Sequence, residues 1–295
     1  FCMFASFRFR RGAAAAALVF LLGCAAGLLL QRGFHRAAPA SAAVQEEGVS
    51  LPAVMYHGLL RDKSLQNEYV IDPALFESDL CWLRANGYTP VHIADLLAYA
   101  DGEGTLPEKP ILLTFDDGYY NNYLYAYPLA RQYNMKIVIA PIGYYSDLYS
   151  ETGEERAPYT HLTWDRMREM RASGLVEFQN HSYNLHALTD GRTGSARCEG
   201  EGDDAYCALL SSDLTAMQEK LREELGEPAS CFVYPFGAVG SGEEEIVQGL
   251  GFRCTLTCED RINWITRKGG FLSLGRRLRP PDCSSEAFFA DLLGS

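Results

Sequence analysis

The chain has 295 residues, of which 47% are hydrophobic and 22% charged, and its formal net charge at pH 7 is -12. This composition is ordinary for a folded enzyme and excludes a disordered or collagen-like protein. The negative charge disfavours a nucleic-acid partner, because phosphate binding requires clustered Lys and Arg to displace counterions. A chain of this length buries a sizeable core, and one large α/β domain is the simplest expectation.

The N-terminal segment differs in composition from the rest of the chain. Arginines within residues 8–11 precede an apolar run over residues 13–30, which is just long enough to span a bilayer. Basic residues before such a run predict an N-terminus inside the cell and the remaining chain outside. Residues 1–36 are therefore predicted to be a membrane anchor or a signal segment, and residues 37–50 a linker.

Two processed forms of this segment stay open. The small residues at 37–43 could be a signal-peptidase site, and LLGC at residues 21–24 loosely resembles a lipoprotein processing box. The folded part is thus expected outside the cytoplasm, either anchored to the membrane or released as a secreted protein or lipoprotein.

Nine cysteines fit an exported protein only in part, because an odd number leaves at least one thiol unpaired. Cys198 and Cys207 flank a Gly- and acid-rich stretch, and a disulfide between them is one possibility, with free thiols as the equal alternative. Cys254 and Cys258 lack a second Cys or His pair at zinc-finger spacing, so a structural zinc site is not expected.

From residue 51 onward, short apolar runs alternate with amphipathic stretches, the pattern of βα units around a parallel sheet or barrel. Strands are predicted at residues 51–56, 111–115, 136–142, 175–179, 231–234 and 253–257. Helices are predicted at residues 72–86, 93–100, 163–173, 211–225 and 243–250, with an aromatic-rich helix between the second and third strands. Asp72 is expected to cap the first helix, with Pro73 at its first position and Gly87 at its end.

Two adjacent carboxylates follow the strand predicted at residues 111–115. In the segment TFDDG, Gly118 permits a sharp turn, so that Asp116 and Asp117 can reach one pocket. Two carboxylates in a dry pocket cannot both stay charged unless a cation or a donor compensates them. A bound metal would meet this requirement, whereas an Asp-Gly surface turn is the alternative without function.

His181 and His186 follow the strand predicted at residues 175–179. Their spacing differs from the i, i+4 pair of a helical metalloprotease, so the loop between them must bend. Two imidazoles and one carboxylate occupy one side of a metal and leave positions open for water and substrate. Together with the two aspartates, the histidines predict a metal site.

The motifs TFDDG, NHSYNLH and YPFG, in this order, resemble the first three motifs of the polysaccharide deacetylase family, also called the NodB-homology domain. MYHGLL at residues 55–60 resembles the lead-in of the poly-N-acetylglucosamine deacetylase branch. The resemblance implies a distorted (β/α) barrel, and the catalytic domain is expected to cover residues 51–295.

The implied activity is metal-dependent hydrolysis of N-acetyl groups from an amino-sugar polysaccharide at the cell surface. Poly-N-acetylglucosamine, peptidoglycan glycan and chitin-like oligomers are the candidate substrates. The resemblance makes Asp116 the general base, and it makes Asp117, His181 and His186 the ligands of a divalent metal, with zinc expected first. The backbone N–H of Phe236 would be the oxyanion donor. A catalytically silent carbohydrate-binding module on the same fold is the alternative.

The third motif departs from the family pattern. Many members carry an Arg where Val233 stands and a Tyr where Phe236 stands. The missing Arg leaves Asp116 without its usual orienting partner. Arg276 or Arg277, in a late Leu-Gly-Arg-Arg segment, is the candidate to replace it, with surface solvation expected for at least one of the two.

Family members are expected to carry the general acid on a Leu-x-His segment near the C-terminus, yet no histidine follows His186 in this chain. His57 directly follows the strand predicted at residues 51–56, and histidine suits the task because its ordinary pKa is close to neutrality. His57 is therefore predicted to be the acid, with the first strand in the barrel position of the family's last strand. A loop histidine, with water or Asp as the proton donor, is the alternative.

Substrate contacts are expected from Tyr119, Tyr234 and Pro235, which adjoin the first and third motifs. Rings for sugar stacking are also available from Tyr120, Tyr123, Tyr144 and Tyr145. Aromatic side chains on helices more often belong to the core than to a binding surface.

Overall fold

The structure is a computed structural model and describes residues 48–189 and 191–294. The predicted membrane or signal segment at residues 1–36 lies outside the described residues, as does the linker before residue 48. Among the described helices, none combines the length and the apolar character that a membrane crossing requires.

The described residues form a mixed α/β fold. In chain order the strands are β1 (Gly48–Leu51), β2 (Ala53–Tyr56), β3 (Gly58–Leu59), β4 (Val70–Ile71), β5 (Thr89–Pro90), β6 (Pro110–Asp117), β7 (Ile137–Pro141), β8 (Val176–Phe178), β9 (Leu188–Thr189), β10 (Arg192–Thr193), β11 (Cys231–Val233), β12 (Cys254–Leu256), β13 (Asn263–Thr266), β14 (Leu272–Leu274) and β15 (Arg277–Leu278). The α-helices are α1 (Pro73–Ala85), α2 (Ile93–Ala100), α3 (Tyr127–Tyr133), α4 (Gly143–Thr152), α5 (Trp164–Ala172), α6 (Asp203–Leu225), α7 (Glu243–Gly249) and α8 (Ser285–Leu293).

Parallel strands surround the centre of the molecule. β15, β2, β6, β7 and β8 are hydrogen-bonded in this order. A bridge between Asn180 and Phe232 continues the order to β11, which is followed by β12 and β14. Because only Gly275 and Arg276 separate β14 from β15, the chain passes directly from the last strand of this order to the first. This arrangement is a distorted barrel.

Most of the predicted elements are present, with shifted ends. α1 begins at Pro73, and the Asp72 carboxylate accepts a 2.8 Å hydrogen bond from the N–H of Ala74, as expected of a capping residue. The strand predicted at residues 51–56 is divided at Pro52, which has no N–H to donate. β1 pairs antiparallel with β13, and only β2 joins the parallel strands, between β15 and β6.

Alternation along β6 determines which side chains reach the C-terminal edge of the barrel. Its odd-numbered apolar residues pack in the core layer shared with the surrounding helices, whereas Leu112 belongs to a second core cluster. Side chains at every second position of a strand face the same side. Thr114 and Asp116 therefore continue the row of Leu112, and Asp116 is buried at the C-terminal end of the strand.

A fully buried ion pair joins the first helix to the C-terminal region. The Arg279 guanidinium donates to both carboxylate oxygens of Asp79 at 2.9 and 3.0 Å, and the Tyr56 hydroxyl donates to the same carboxylate at 3.0 Å. Both charged side chains are completely inaccessible to solvent. Their contact therefore connects α1, β2 and the segment after β15.

We expect Arg279→Ala to lower the free energy of unfolding by about 3–5 kcal/mol, because it leaves the Asp79 charge buried and unpaired. The measurement is equilibrium unfolding in urea. Arg168→Ala is the matched control, since the Arg168 side chain is 46% exposed in its ion pairs and its loss should cost less than about 1 kcal/mol. Equal losses in the two variants would contradict a special contribution of the buried pair.

Candidate active site

A cavity of about 880 Å³ opens at the C-terminal ends of the parallel strands. Its lining residues come from the ends of β2, β6, β8, β11 and β12 and from the β15 region. They include His57, Asp116, Asp117, Tyr119, His181, His186, Phe236, Cys258, Asp260, Arg276 and Arg277. In barrels of this type, the loops at the C-terminal strand ends carry the catalytic residues.

Asp117, His181 and His186 converge on one point of this cavity. The Asp117 Oδ1 atom lies 3.1 Å from Nε2 of His186 and 3.4 Å from Nε2 of His181, and one ligand atom from each residue lies within 4.8 Å of the others. Ligands at about 2.0–2.2 Å around a tetrahedral zinc are themselves roughly 3.4 Å apart. The three side chains therefore have the spacing of a metal-ligand set.

The hydrogen bonding of these residues also fits a metal. Asp117 Oδ1 is buried and has no hydrogen-bond partner among the described residues, which is costly unless a cation satisfies it. The Nδ1 atom of His181 lies 2.7 Å from the carbonyl oxygen of Val233. Because a carbonyl only accepts, the proton is on Nδ1, and Nε2 keeps its lone pair for a metal.

The loop that carries both histidines is held by Asp213 on α6. Its carboxylate accepts 2.8 Å hydrogen bonds from the backbone N–H groups of Tyr183 and Asn184, which lie between His181 and His186. Asp213 could not be predicted from the sequence, because it has no motif of its own and its partners are about thirty positions away along the chain. Its contacts indicate that it positions His186.

Asp116 is paired with one of the two expected arginines. Arg276 donates to both Asp116 oxygens at 2.6 and 2.9 Å, and it also donates to the Thr114 hydroxyl at 2.9 Å. Arg277 lines the same cavity but donates to Asp260 and Asp291 instead of Asp116. Burial is the largest influence on the pKa of Asp116 and raises it, but Arg276, His181 and His57 together outweigh burial, so that this pKa is lowered from its ordinary value.

His57 lies at the same edge, directly after β2. Its Nδ1 atom is buried without a hydrogen-bond partner in the described part of the chain, and its ring meets Tyr69 edge-on at 5.0 Å. The Asn122 amide donates to the His57 carbonyl at 2.7 Å and holds the backbone there. Burial lowers the pKa of His57, and the charges of Asp116 and Asp117 partly oppose this effect.

Of the three site residues predicted in the third motif, one lines the cavity. Phe236 is 46% exposed, and its ring lies 4.3 Å from that of His186. Tyr234 and Pro235 are buried and do not line the cavity. Tyr234 follows the same alternation as Phe232, whose ring it contacts at 5.0 Å, and this row faces the core. Their side chains are therefore not placed for the substrate contact expected of them.

The selected tyrosines occupy different environments. Tyr119 lines the cavity, and burial followed by the neighbouring Asp117 raises its pKa. Tyr120 and Tyr123 instead donate hydrogen bonds to Glu155 and Glu169. These two side chains lie outside the cavity lining, as expected for helical aromatics that stabilise the fold.

The cysteines of the described residues are free thiols, including Cys198 and Cys207, so the disulfide considered for this pair is not formed. Cys258 is one of these thiols and lines the cavity. From the sequence alone, Cys258 was a candidate only for a zinc finger. Its position near Asp116 depends on how the end of β12 packs in the barrel.

A sequence profile described as Polysaccharide deacetylase matches residues 103–255, which is more than half of the 295 residues. The chain belongs to the polysaccharide deacetylase family. This finding confirms the resemblance seen in the three motifs.

Two curated relatives illustrate the likeness. The chain is 29% identical over 230 residues to the poly-beta-1,6-N-acetyl-D-glucosamine N-deacetylase of Escherichia coli strain K12, a match covering 71% of this chain and 34% of that protein. It is 27% identical over 248 residues to the putative polysaccharide deacetylase YxkH of Bacillus subtilis strain 168, covering 83% and 77% of the two chains. This chain thus spans about a third of the length of the Escherichia coli relative.

Solved structures confirm the fold. A de-N-acetylase from Aggregatibacter actinomycetemcomitans superimposes with a TM-score of 0.70 at 25% identity, covering 82% of this chain and 99% of that one. IcaB from Ammonifex degensii superimposes with a TM-score of 0.68 at 26% identity, covering 83% and 98%. The polysaccharide deacetylase fold therefore extends over most of this chain.

We expect Asp213→Ala to weaken metal binding about 10- to 100-fold, the effect typical of residues that orient metal ligands. The measurement is the dissociation constant for zinc, by competition with a chromophoric chelator. Asp204→Ala is the control, since Asp204 is an exposed residue at the start of the same helix. Unchanged zinc affinity in a folded Asp213→Ala protein would rule out the positioning role.

Proposed function

We propose that this chain hydrolyses N-acetyl groups of an amino-sugar polysaccharide with the help of a divalent metal. The observation that carries the proposal is the convergence of Asp117, His181 and His186 beside the paired carboxylate of Asp116 in one cavity. Membership of the polysaccharide deacetylase family supports the same reaction.

Asp117, His181 and His186 would hold the metal, with zinc as the first candidate because it accepts nitrogen and oxygen ligands in open catalytic sites. When bound there, a divalent metal supplies Lewis acidity, lowering the pKa of a water molecule and polarising the acetyl carbonyl. The two histidines and one carboxylate leave room for water and substrate on the cavity side.

Asp116 is the general base in this proposal and removes the proton from the attacking water. Arg276 keeps the Asp116 carboxylate ionised and fixes its orientation through two hydrogen bonds. A base that stays ionised and immobile can accept a proton without first reorganising. This is the orienting role expected of Arg276, and Arg277 does not share it.

His57 is the proposed general acid, because the sugar amine is too poor a leaving group to depart as an anion. The backbone N–H of Phe236 is the proposed donor to the oxyanion, and this role does not depend on the type of ring at that position. Phe236 has a φ of 58°, a backbone conformation that side chains rarely adopt and that often occurs at functional sites.

The substrate class is narrowed by the relatives. Several curated relatives are named poly-beta-1,6-N-acetyl-D-glucosamine N-deacetylases, including those of Escherichia coli and Staphylococcus aureus. We therefore favour poly-N-acetylglucosamine over peptidoglycan glycan or chitin-like oligomers. The basic and apolar segment at residues 1–36 supports export to the cell surface, where such a polymer is found.

We expect acetate release from N-acetylglucosamine oligomers that stops on addition of a chelator and returns with zinc. Asp116→Asn should retain metal and lose about 100- to 10,000-fold in kcat, whereas Asp117→Asn should lose metal. Acetate by enzymatic assay and zinc by atomic absorption are the measurements. Equal metal loss in both variants would show that the two roles are wrongly divided. Oligomer binding without acetate release would favour the silent binding module.

We expect His57→Ala to lose about 100-fold or more in kcat with its zinc content unchanged, because the leaving amine is then without its proton donor. The basic limb of the pH–rate profile should also disappear, since activity no longer requires a protonated imidazole. His92→Ala is the control, because His92 lies outside the cavity against the carbonyl oxygen of Leu175. Wild-type turnover in the His57 variant would eliminate this role.

A further inference from the structure

A row of aromatic rings in contact with one another leads away from the cavity. Tyr119 lines the cavity, and its ring lies 4.8 Å from that of His161. The His161 ring stacks on Tyr145 at 4.4 Å, and Tyr145 meets Tyr144 edge-on at 5.4 Å. We refer to Tyr119, His161, Tyr145 and Tyr144 as the aromatic ladder. They connect the neighbourhood of Asp117 to the surface of α4.

The aromatic ladder is buried at His161 and exposed at Tyr144, its last residue. His161 is only 7% accessible, whereas Tyr144 is 43% exposed. A second exposed tyrosine is attached to the same row, because Tyr149 stacks on His161 at 5.8 Å and donates a hydrogen bond to the backbone carbonyl of Tyr159, which is 49% exposed. Two exposed tyrosines are thus connected to the row, Tyr144 through Tyr145 and Tyr159 through Tyr149.

The start of α4 is attached to the loop of the metal ligands. The N–H of Tyr144 donates to the carbonyl of Tyr183 at 2.8 Å, and the N–H of Gly143 donates to the carbonyl of Ser182 at 3.2 Å. A Cβ atom at Gly143 would lie only 2.6 Å from the Tyr183 ring, so this close approach requires glycine. Tyr144 is therefore held at a set distance from His181 and His186.

We propose that Tyr144 and Tyr159 form an outer sugar-binding surface for residues of the amino-sugar polymer beyond the one being deacetylated. This inference rests on the proposed function and extends it from the reacting sugar to its neighbours. Sugar rings present C–H groups on their faces, and aromatic rings offer a large apolar area with a negative face to them. Rings already fixed by packing lose little conformational entropy when a ligand binds.

The continuity of the ladder with the cavity identifies the occupant. A single exposed tyrosine is normal on a protein surface and requires no explanation. Here Tyr144 ends a row of ring contacts that begins at Tyr119 in the cavity lining, and Tyr159 is attached to the same row through Tyr149. A polymer longer than the cavity must continue across the surface around it. The structure therefore favours a chain of sugars over an unrelated apolar partner.

The test compares a dimer with a hexamer of β-1,6-linked N-acetylglucosamine as substrates. We expect Tyr144→Ala to lower the ratio of kcat/KM for the hexamer to that for the dimer by about two- to tenfold, the effect of losing one aromatic contact. Tyr144→Trp should restore the ratio. Trp264→Ala is the matched control, because Trp264 is 59% exposed on β13 and outside the cavity lining.

Tyr159→Ala is a second variant in case Tyr144→Ala is poorly folded, and its ratio should change in the same direction. An unchanged ratio in both folded variants would overturn the inference, as would an equal loss on dimer and hexamer. Calorimetric binding of the hexamer to the same variants separates this inference from the proposed function. Binding that depends on Tyr144 in a protein that releases no acetate would keep the surface and reject the catalysis.

Discussion

The contact between Arg276 and Asp116 joins the parts of the barrel on which the site depends. Arg276 lies where the chain passes from β14 to β15, and it reaches the carbonyl of Thr257 beyond β12 and the carboxylate at the end of β6. Both charges are buried, and neither is tolerable there without the other. The same pair thus contributes to closure of the barrel, keeps the Asp116 carboxylate ionised and fixes its direction.

Each of the three motifs carries one residue other than glycine in the left-handed backbone region. These are Asp117, Ser182 and Phe236, with φ values of 68°, 71° and 58°. Such conformations cost on the order of 1–3 kcal/mol each and persist only where surrounding contacts enforce them. The loop between His181 and His186 is an example, because Asp213 on α6 accepts two of its backbone hydrogen bonds. The packing of the fold therefore compensates for the geometry of the site.

The outer surface follows from the same packing. The start of α4 is hydrogen-bonded to the loop between His181 and His186, and α4 includes Tyr144 and Tyr145. A rigid connection of this kind would let the site engage a polymer over several sugars without a separate binding domain. Affinity for the chain would then come from preformed aromatic contacts, while the buried polar groups remain available for the reaction.

The sequence by itself determined the local features of this protein. These features depend only on a few neighbouring residues, and the structure contains each of them. They are the apolar runs of strand length, the cap formed by Asp72 and the adjacent pair Asp116 and Asp117. The two histidines were also predictable as a set, because residue type and spacing restrict which chemistry a loop can perform. The family motifs supplied the expected role of each residue.

Only the tertiary structure decided which residues join that set. Arg276 and Arg277 are neighbours in the chain, yet one donates to Asp116 and the other to Asp260 and Asp291. Alternation along a strand turns Tyr234 into the core, and Asp213 acts through a contact across about thirty positions. Such outcomes depend on which elements pack together and on single-residue register, and a linear pattern does not encode either directly.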